Sequence, residues 1–220
     1  MVVYLDHAAT TPLRPEAREA WLEASAGIGN PSSVHAAGQA ARRVLEESRE
    51  RLAAALDCDP IEVVFTSGGT ESVNLALKGL FWARAAADAS RRSIVVPQGE
   101  HHATLDATAW LEAHEGARLR SPRLDSLGRL DLDAWEAAIG DGAGVALATM
   151  LAANNEVGTL QPVSQAVLGA ARAGVPMHLD AVGAFGHVPL SFRALRATRH
   201  EAGAPVGAGG GLAAMRIAAH

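Results

Sequence analysis

The stretch VVFTSGGTESVNLALKG, residues 63–79, decides how the chain is read. A β-branched run ending at Thr66 stops at Ser67-Gly68-Gly69-Thr70, and an alanine- and leucine-rich helical pattern follows from Glu71. Strand, glycine turn and helix in that order form the unit from which parallel α/β sheets are built. The turn itself has two readings. Its glycines let the backbone approach a ligand, the helix start presents N–H groups and a positive dipole end, and Ser67 and Thr70 add hydroxyls, which suits a phosphate. Alternatively, Ser67 or Thr70 is simply the capping residue of the helix. The spacing matches neither a Walker loop nor a dinucleotide fingerprint.

Working outward, the same alternation recurs. Residues 35–56 place Ala40, Val44, Leu45, Leu52 and Leu56 near one helical face, with charges opposite. Helical patterns are also expected over 71–87, 103–114, 131–139 and 163–173. Strands are expected at 62–66, 93–97, 144–151 and 175–180, the last three as short apolar runs buried on both faces of a sheet. The expected fold is therefore α/β, a mostly parallel sheet flanked by helices. In such sheets ligands gather at the carboxyl ends of the strands. The polar residues Glu100-His101-His102, Asn154-Asn155-Glu156 and Asp180 all fall there.

Asp180 closes the apolar run MHLD, so a buried carboxylate there needs a cationic partner such as a protonated ring nitrogen, or else serves as a cap or loop acceptor. His101 can lie over a flat ring and trade protons, or be a partly buried polar residue. Adjacent His101 and His102 make a poor metal pair because consecutive side chains diverge, so no metal site is expected.

Composition narrows the class. The chain has 220 residues, 49% of them hydrophobic, and a net charge of −5 without a basic stripe, which argues against nucleic acid as a partner. The densest basic patch, RLRSPRLDSLGR at 118–129, is interrupted by Asp125 and reads as a solvated loop. No basic leader or membrane-length apolar window occurs, so no membrane association is expected. Cys58 is the single cysteine, which precludes an intramolecular disulfide and suits a reducing, cytoplasmic setting.

Six ordered motifs, YLDHAATTPLRPEA, GNPSSVH, VVFTSGGTESVNLALKG, GEHHATLD, NNEVGTLQPV and HLDAVGAFGHVPL, together resemble the cysteine desulfurases of the class V aminotransferase group. The similarity runs from residue 4 to about 190. It implies the large domain of a fold type I pyridoxal 5'-phosphate enzyme. Gly69 and Thr70 would hold the phosphate, and His101 would stack on the ring and assist proton transfer as the catalytic residue. Asn155 would contact the ring-oxygen side and Asp180 would pair with the ring nitrogen. Thr198 and His200 would match the family's Ser-x-His segment. The implied reaction takes sulfur from L-cysteine, leaving L-alanine, onto an enzyme cysteine as a persulfide for iron–sulfur or thio-cofactor synthesis. A homodimer and a sulfur-acceptor protein are the implied partners. A selenocysteine lyase, and an inactive pseudo-enzyme or truncated fragment, are the alternatives.

Three positions depart from the resemblance. Glu201 stands where the cofactor lysine is expected, and Lys78, the only lysine, lies in the helix after the glycine turn. Gly183 replaces a glutamine that would touch the ring oxygen. Cys58 matches no catalytic position. The expected organisation is an arm at 1–15, a cofactor-binding large domain at 16–200 and a Gly/Ala-rich tail at 201–220, with the C-terminal small domain missing.

Overall fold

The computed structural model describes residues 3–7 and 9–195, together with the backbone of 212–216. The chain falls into two compact units that meet between Phe65 and Thr66, well beyond the arm boundary expected at residue 15.

The first unit is helical. Helix α1 (Pro15–Ala26) starts with proline in its first turn, where the missing N–H costs nothing, and it buries no residue. Helix α2 (Ala36–Leu56) is capped by His35, whose ring accepts the Gly38 amide at 3.4 Å. Gly38 has no room for a β-carbon, because the Ser33 carbonyl oxygen occupies that position. The buried edge of α2 is Gly38, Ala53 and Leu56, whereas Val44, expected on the inner face, is 49% exposed. A single 3-10 turn, Pro60–Glu62, follows, and the Asp59 amide donates to the Glu62 carboxylate at 2.9 Å.

The expected strand at 62–66 does not form. The run after Glu62 is not part of any ladder among the described residues. Instead Arg49 of α2 donates to the Val63 carbonyl and lies 4.8 Å over the Phe65 ring. A β-branched run becomes a strand only when a neighbour offers a ladder, and here an arginine takes that place.

The second unit holds a five-stranded sheet in the order β2-β1-β3-β4-β5, every neighbouring pair parallel. The strands are β1 (Ser93–Val95), β2 (Arg118–Arg120), β3 (Val145–Leu151), β4 (Met177–Asp180) and β5 (Leu212–Arg216). Its helices are α3 (Gly69–Ala87), α4 (His102–Glu115), α5 (Leu132–Ile139) and α6 (Val163–Arg172). Strands β1, β3 and β4 are buried along their whole lengths, as their apolar runs predict.

Side chains alternate between two cores. Ile94 and Val96 join Val73, Leu77 and Phe81 of α3 and Leu111 of α4. Val95, Met150 and Leu179 join Trp135 of α5 and Val167 of α6. Helices thus cover both sheet faces, the period-two consequence of parallel strands. Trp135 is fully buried and its indole N–H donates to the Ala166 carbonyl at 3.1 Å.

The basic segment 118–129 corrects a second expectation. Arg118–Arg120 is an edge strand, and Leu124 and Leu130 form an antiparallel bridge around Asp125. Arg120 donates to the Ala138 carbonyl at 2.9 Å at the end of α5. The arginine stems lie along the structure while their heads find acceptors, which a charge count does not reveal.

Candidate functional site

Because the strands are parallel, their carboxyl ends share one edge of the sheet. Along that edge, β1 leads to His101, β3 leads to Asn155 and β4 ends at Asp180. These three strands are adjacent, in the order β1-β3-β4.

The glycine turn lies towards the same edge. At the far end of α3, Arg84 donates to the Gly174 carbonyl at 3.2 Å, just before β4 begins. Arg92, which precedes β1, lies 5.8 Å over the Phe81 ring of α3. The C-terminal half of α3 is therefore at the starting edge of the strands. Its first residues, Gly69 and Thr70, point back towards the finishing edge.

The turn removes one of the two readings given by sequence. The N-cap of α3 is Gly68, with no side-chain cap, so neither Ser67 nor Thr70 caps the helix. Ser67 instead turns backward, its amide and hydroxyl both donating to Glu71 at 2.6 Å. Those bonds, the hydroxyl's first, hold the Glu71 carboxyl below its usual range. The first amide hydrogen-bonded back into the turn is that of Ser72, to Gly68 at 3.2 Å. Thr70 is exposed, and a β-carbon on Gly68 would meet no atom within 4 Å. The start of α3 is thus an open cradle with helix amides facing outward.

His101 caps α4: its Nδ1 accepts the Ala103 amide at 3.2 Å. An accepting Nδ1 leaves Nε2 as the protonated nitrogen of the neutral ring, and the side chain is exposed rather than partly buried. Asn155 is exposed, while Asn154 beside it builds the turn. The Asn154 side-chain oxygen accepts the Glu156 and Val157 amides at 2.8 and 2.9 Å, and its amide donates to the Gly99 carbonyl at 3.2 Å. Asp180 is 5% exposed and accepts the Val182 amide at 3.1 Å. Gly183 packs against the Ala153 carbonyl, which a β-carbon would approach to 3.1 Å.

Glu100 belongs to this edge, although sequence reasoning gave it no role. It is 8% exposed, and its Oε1 accepts the Leu151 amide at 2.8 Å. Burial, aided by the charge of Asp180 and opposed by the Leu151 bond, pushes its carboxyl up to about 8. Its position directly before His101 was the only signal in the sequence.

Lys78 projects from the middle of α3 onto α4, with its ammonium 4.1 Å over the Trp110 ring. Trp110 in turn stacks on His114 at 4.7 Å. Thr198, His200 and Glu201 lie outside the described residues.

Comparison with known proteins agrees with this geometry. The aminotransferase class-V family pattern matches residues 3–207. An IscS-like cysteine desulfurase from Mycobacterium tuberculosis is 46% identical over 213 residues, covering 94% of this chain and 54% of the relative. A cysteine desulfurase from Cereibacter sphaeroides is 40% identical over 214 residues, with the same two coverages. Among solved structures, a NifS-like protein superposes with a TM-score of 0.82 at 33% identity, over 89% of this chain and 53% of its own. The structure of SspA in complex with cysteine gives 0.80 at 30% identity, over 87% and 54%. The chain spans about half the length of the curated relatives it matches. These relatives and structures carry the names of cysteine desulfurases or NifS-like proteins, or are solved in complex with cysteine. The glycine turn, the parallel sheet and the family pattern over residues 3–207 place this chain in the aminotransferase class-V family.

Proposed function

We propose that this chain carries the pyridoxal 5'-phosphate-binding part of a cysteine desulfurase that converts L-cysteine to L-alanine. The observation that carries this reading is the convergence of three adjacent parallel strands on His101, Asn155 and Asp180, with the uncapped start of α3 towards the same edge.

The residues present suit the cofactor. The cradle at Gly68–Thr70 is open and rich in N–H donors, as a phosphate ester requires. Asp180, buried at the end of β4, is the acid in this reading that keeps a ring nitrogen protonated. Pyridoxal phosphate supplies an electron sink for the α-carbon of the substrate. Gly69 and Thr70 would bind the ester, Asn155 would face the ring-oxygen side, and His101 would cover the ring and offer Nε2 for proton transfer. Thr198 and His200 complete the set by resemblance.

Cys58, in the connection between α2 and the 3-10 turn of the first unit, matches no catalytic position, and in the family reaction the removed sulfur would pass to an enzyme cysteine. A sulfur-acceptor protein then receives it for iron–sulfur or thio-cofactor synthesis. The setting is a reducing one, the cytoplasm. The chain works as a homodimer, a reading supported by the exposed apolar residues of its first unit, among them Trp21 and Ile28.

Cofactor titration followed by absorbance tests the site. Asp180→Asn and Thr70→Ala should each weaken pyridoxal phosphate binding by about 10- to 100-fold, the worth of a charge-assisted hydrogen bond. Unchanged affinity in both variants sinks the assignment. Borohydride treatment followed by peptide mass mapping should find no cofactor on Lys78, which is held on Trp110.

A further inference from the structure

The connection from β1 to α4 is fastened to the end of β3 at two points. The Gly99 carbonyl accepts from the Asn154 side chain at 3.2 Å, and Glu100 Oε1 accepts the Leu151 amide at 2.8 Å. Each fastening residue on the chain precedes, or adjoins, an expected cofactor contact: Glu100 precedes His101 and Asn154 precedes Asn155. Glu100 is unusual among such fasteners. Its second oxygen, Oε2, is buried and has no hydrogen-bond partner among the described residues.

A buried carboxylate with a single amide donor and a bare second oxygen is a poor arrangement for a negative charge. The surroundings make it worse. The recess beside Glu100 is walled by Pro97, Gly99, Leu124, Leu130, Met150 and Gln161, none of which titrates. Among the described residues, the charged group whose field reaches it is Asp180 from β4, of the same sign. His101 and His102, next in the chain, are both exposed and offer no buried counter-charge.

We infer that Glu100 is a neutral carboxylic acid that pins the His101 connection to the end of β3 without placing a second negative charge beside Asp180. Its proton sits on Oε2, and Oε1 remains the acceptor of the Leu151 amide. The pinning needs only a carbonyl oxygen, which the neutral acid provides. Glu100 is a positioning residue, acting through the backbone of His101 and Leu151. Its value to catalysis rests on the cofactor reading above, whereas its protonation state and its pinning do not.

The sign of the pH effect follows from linkage. The unfolded carboxyl titrates near its ordinary 4.5 and the folded one near about 8, so the folded chain binds one more proton between those values. Stability contributed by Glu100 is therefore full below about pH 4.5 and is lost as pH rises towards about 8.

Urea unfolding of the full chain and of Glu100→Gln across this range tests the inference. The folding constant of the variant relative to the parent should rise about tenfold per pH unit through the window and level off above it. A ratio that stays flat with pH overturns the proposal. Infrared spectroscopy of the parent chain, labelled with carbon-13 glutamate, provides a test that needs no variant. A carboxylic-acid carbonyl band should persist at neutral pH and disappear on titration above about pH 8. Its absence at neutral pH overturns the proposal equally. For the pinning, hydrogen exchange at Leu151 and across 99–103 should accelerate at least about tenfold more in Glu100→Ala than in Glu100→Gln, which keeps the acceptor oxygen. Equal exchange in the two variants removes the positioning role. Failure of the chain to take up pyridoxal phosphate sinks the cofactor reading and leaves these three outcomes unaffected.

Discussion

From Thr66 onward, Trp135, Phe81, Leu77, Leu111 and Leu147 are all fully buried, although Leu127 and Val157 are exposed. Before Thr66, Leu56 and Val63 are buried, but Trp21, Ile28, Val34 and Ile61 are all more than half exposed. Both stretches contain helices. What separates them is the surface against which a helix can lie. Helices α3 to α6 rest on a sheet whose strands offer an apolar face on both sides. Helix α1 buries none of its residues.

The comparison can be broken most forcefully in the second unit. Trp135→Ala removes a fully buried indole and its bond to Ala166, and should cost about 3–5 kcal/mol in urea unfolding. A cost below about 1 kcal/mol would mean that the core does not depend on α5. In the first unit, Trp21→Ser should change stability by no more than about 0.5 kcal/mol, while sedimentation shifts towards the monomer. A large loss of stability with unchanged sedimentation would show that Trp21 packs within its own chain.

The smallest effect separates two carboxylates of the second unit. Asp131 caps α5, accepting the Ala134 amide at 2.9 Å and pairing with Arg123 at 2.5 Å. The amide bond foremost, and Arg123 with it, lower its carboxyl from the usual value. Its contribution is therefore present above about pH 4 and is lost as pH falls through the lowered value. Asp131→Asn should flatten the acid limb of the stability profile slightly, the opposite sign to Glu100→Gln at higher pH. A profile unchanged below about pH 4 would show that the cap is not formed by the charge.

Much of the architecture was legible beforehand. The helices at 36–56, 69–87, 102–115, 132–139 and 163–172 lie where periodicity puts them. The buried strands at 93–95, 145–151 and 177–180 follow from short apolar runs. The placement of His101, Asn155 and Asp180 on one edge follows from parallel topology, because each residue closes or follows a strand. Two segments misled. Residues 62–66 have strand composition and form no ladder, whereas 118–120 look like a charged loop and form an edge strand. In both cases local composition was outweighed by what lay alongside.

By itself, then, the sequence determined the alternation of helix and buried strand, the family, and the residues offered at the carboxyl edge, because these depend on spacing along the chain. Only the tertiary structure decided which runs found a ladder, which face of α2 turned inward, and that Glu100 sits unpaired on one oxygen near Asp180. Those outcomes depend on neighbours distant in the chain. Hydrogen-bond partners and electric fields act through space, and no local pattern of residues encodes them.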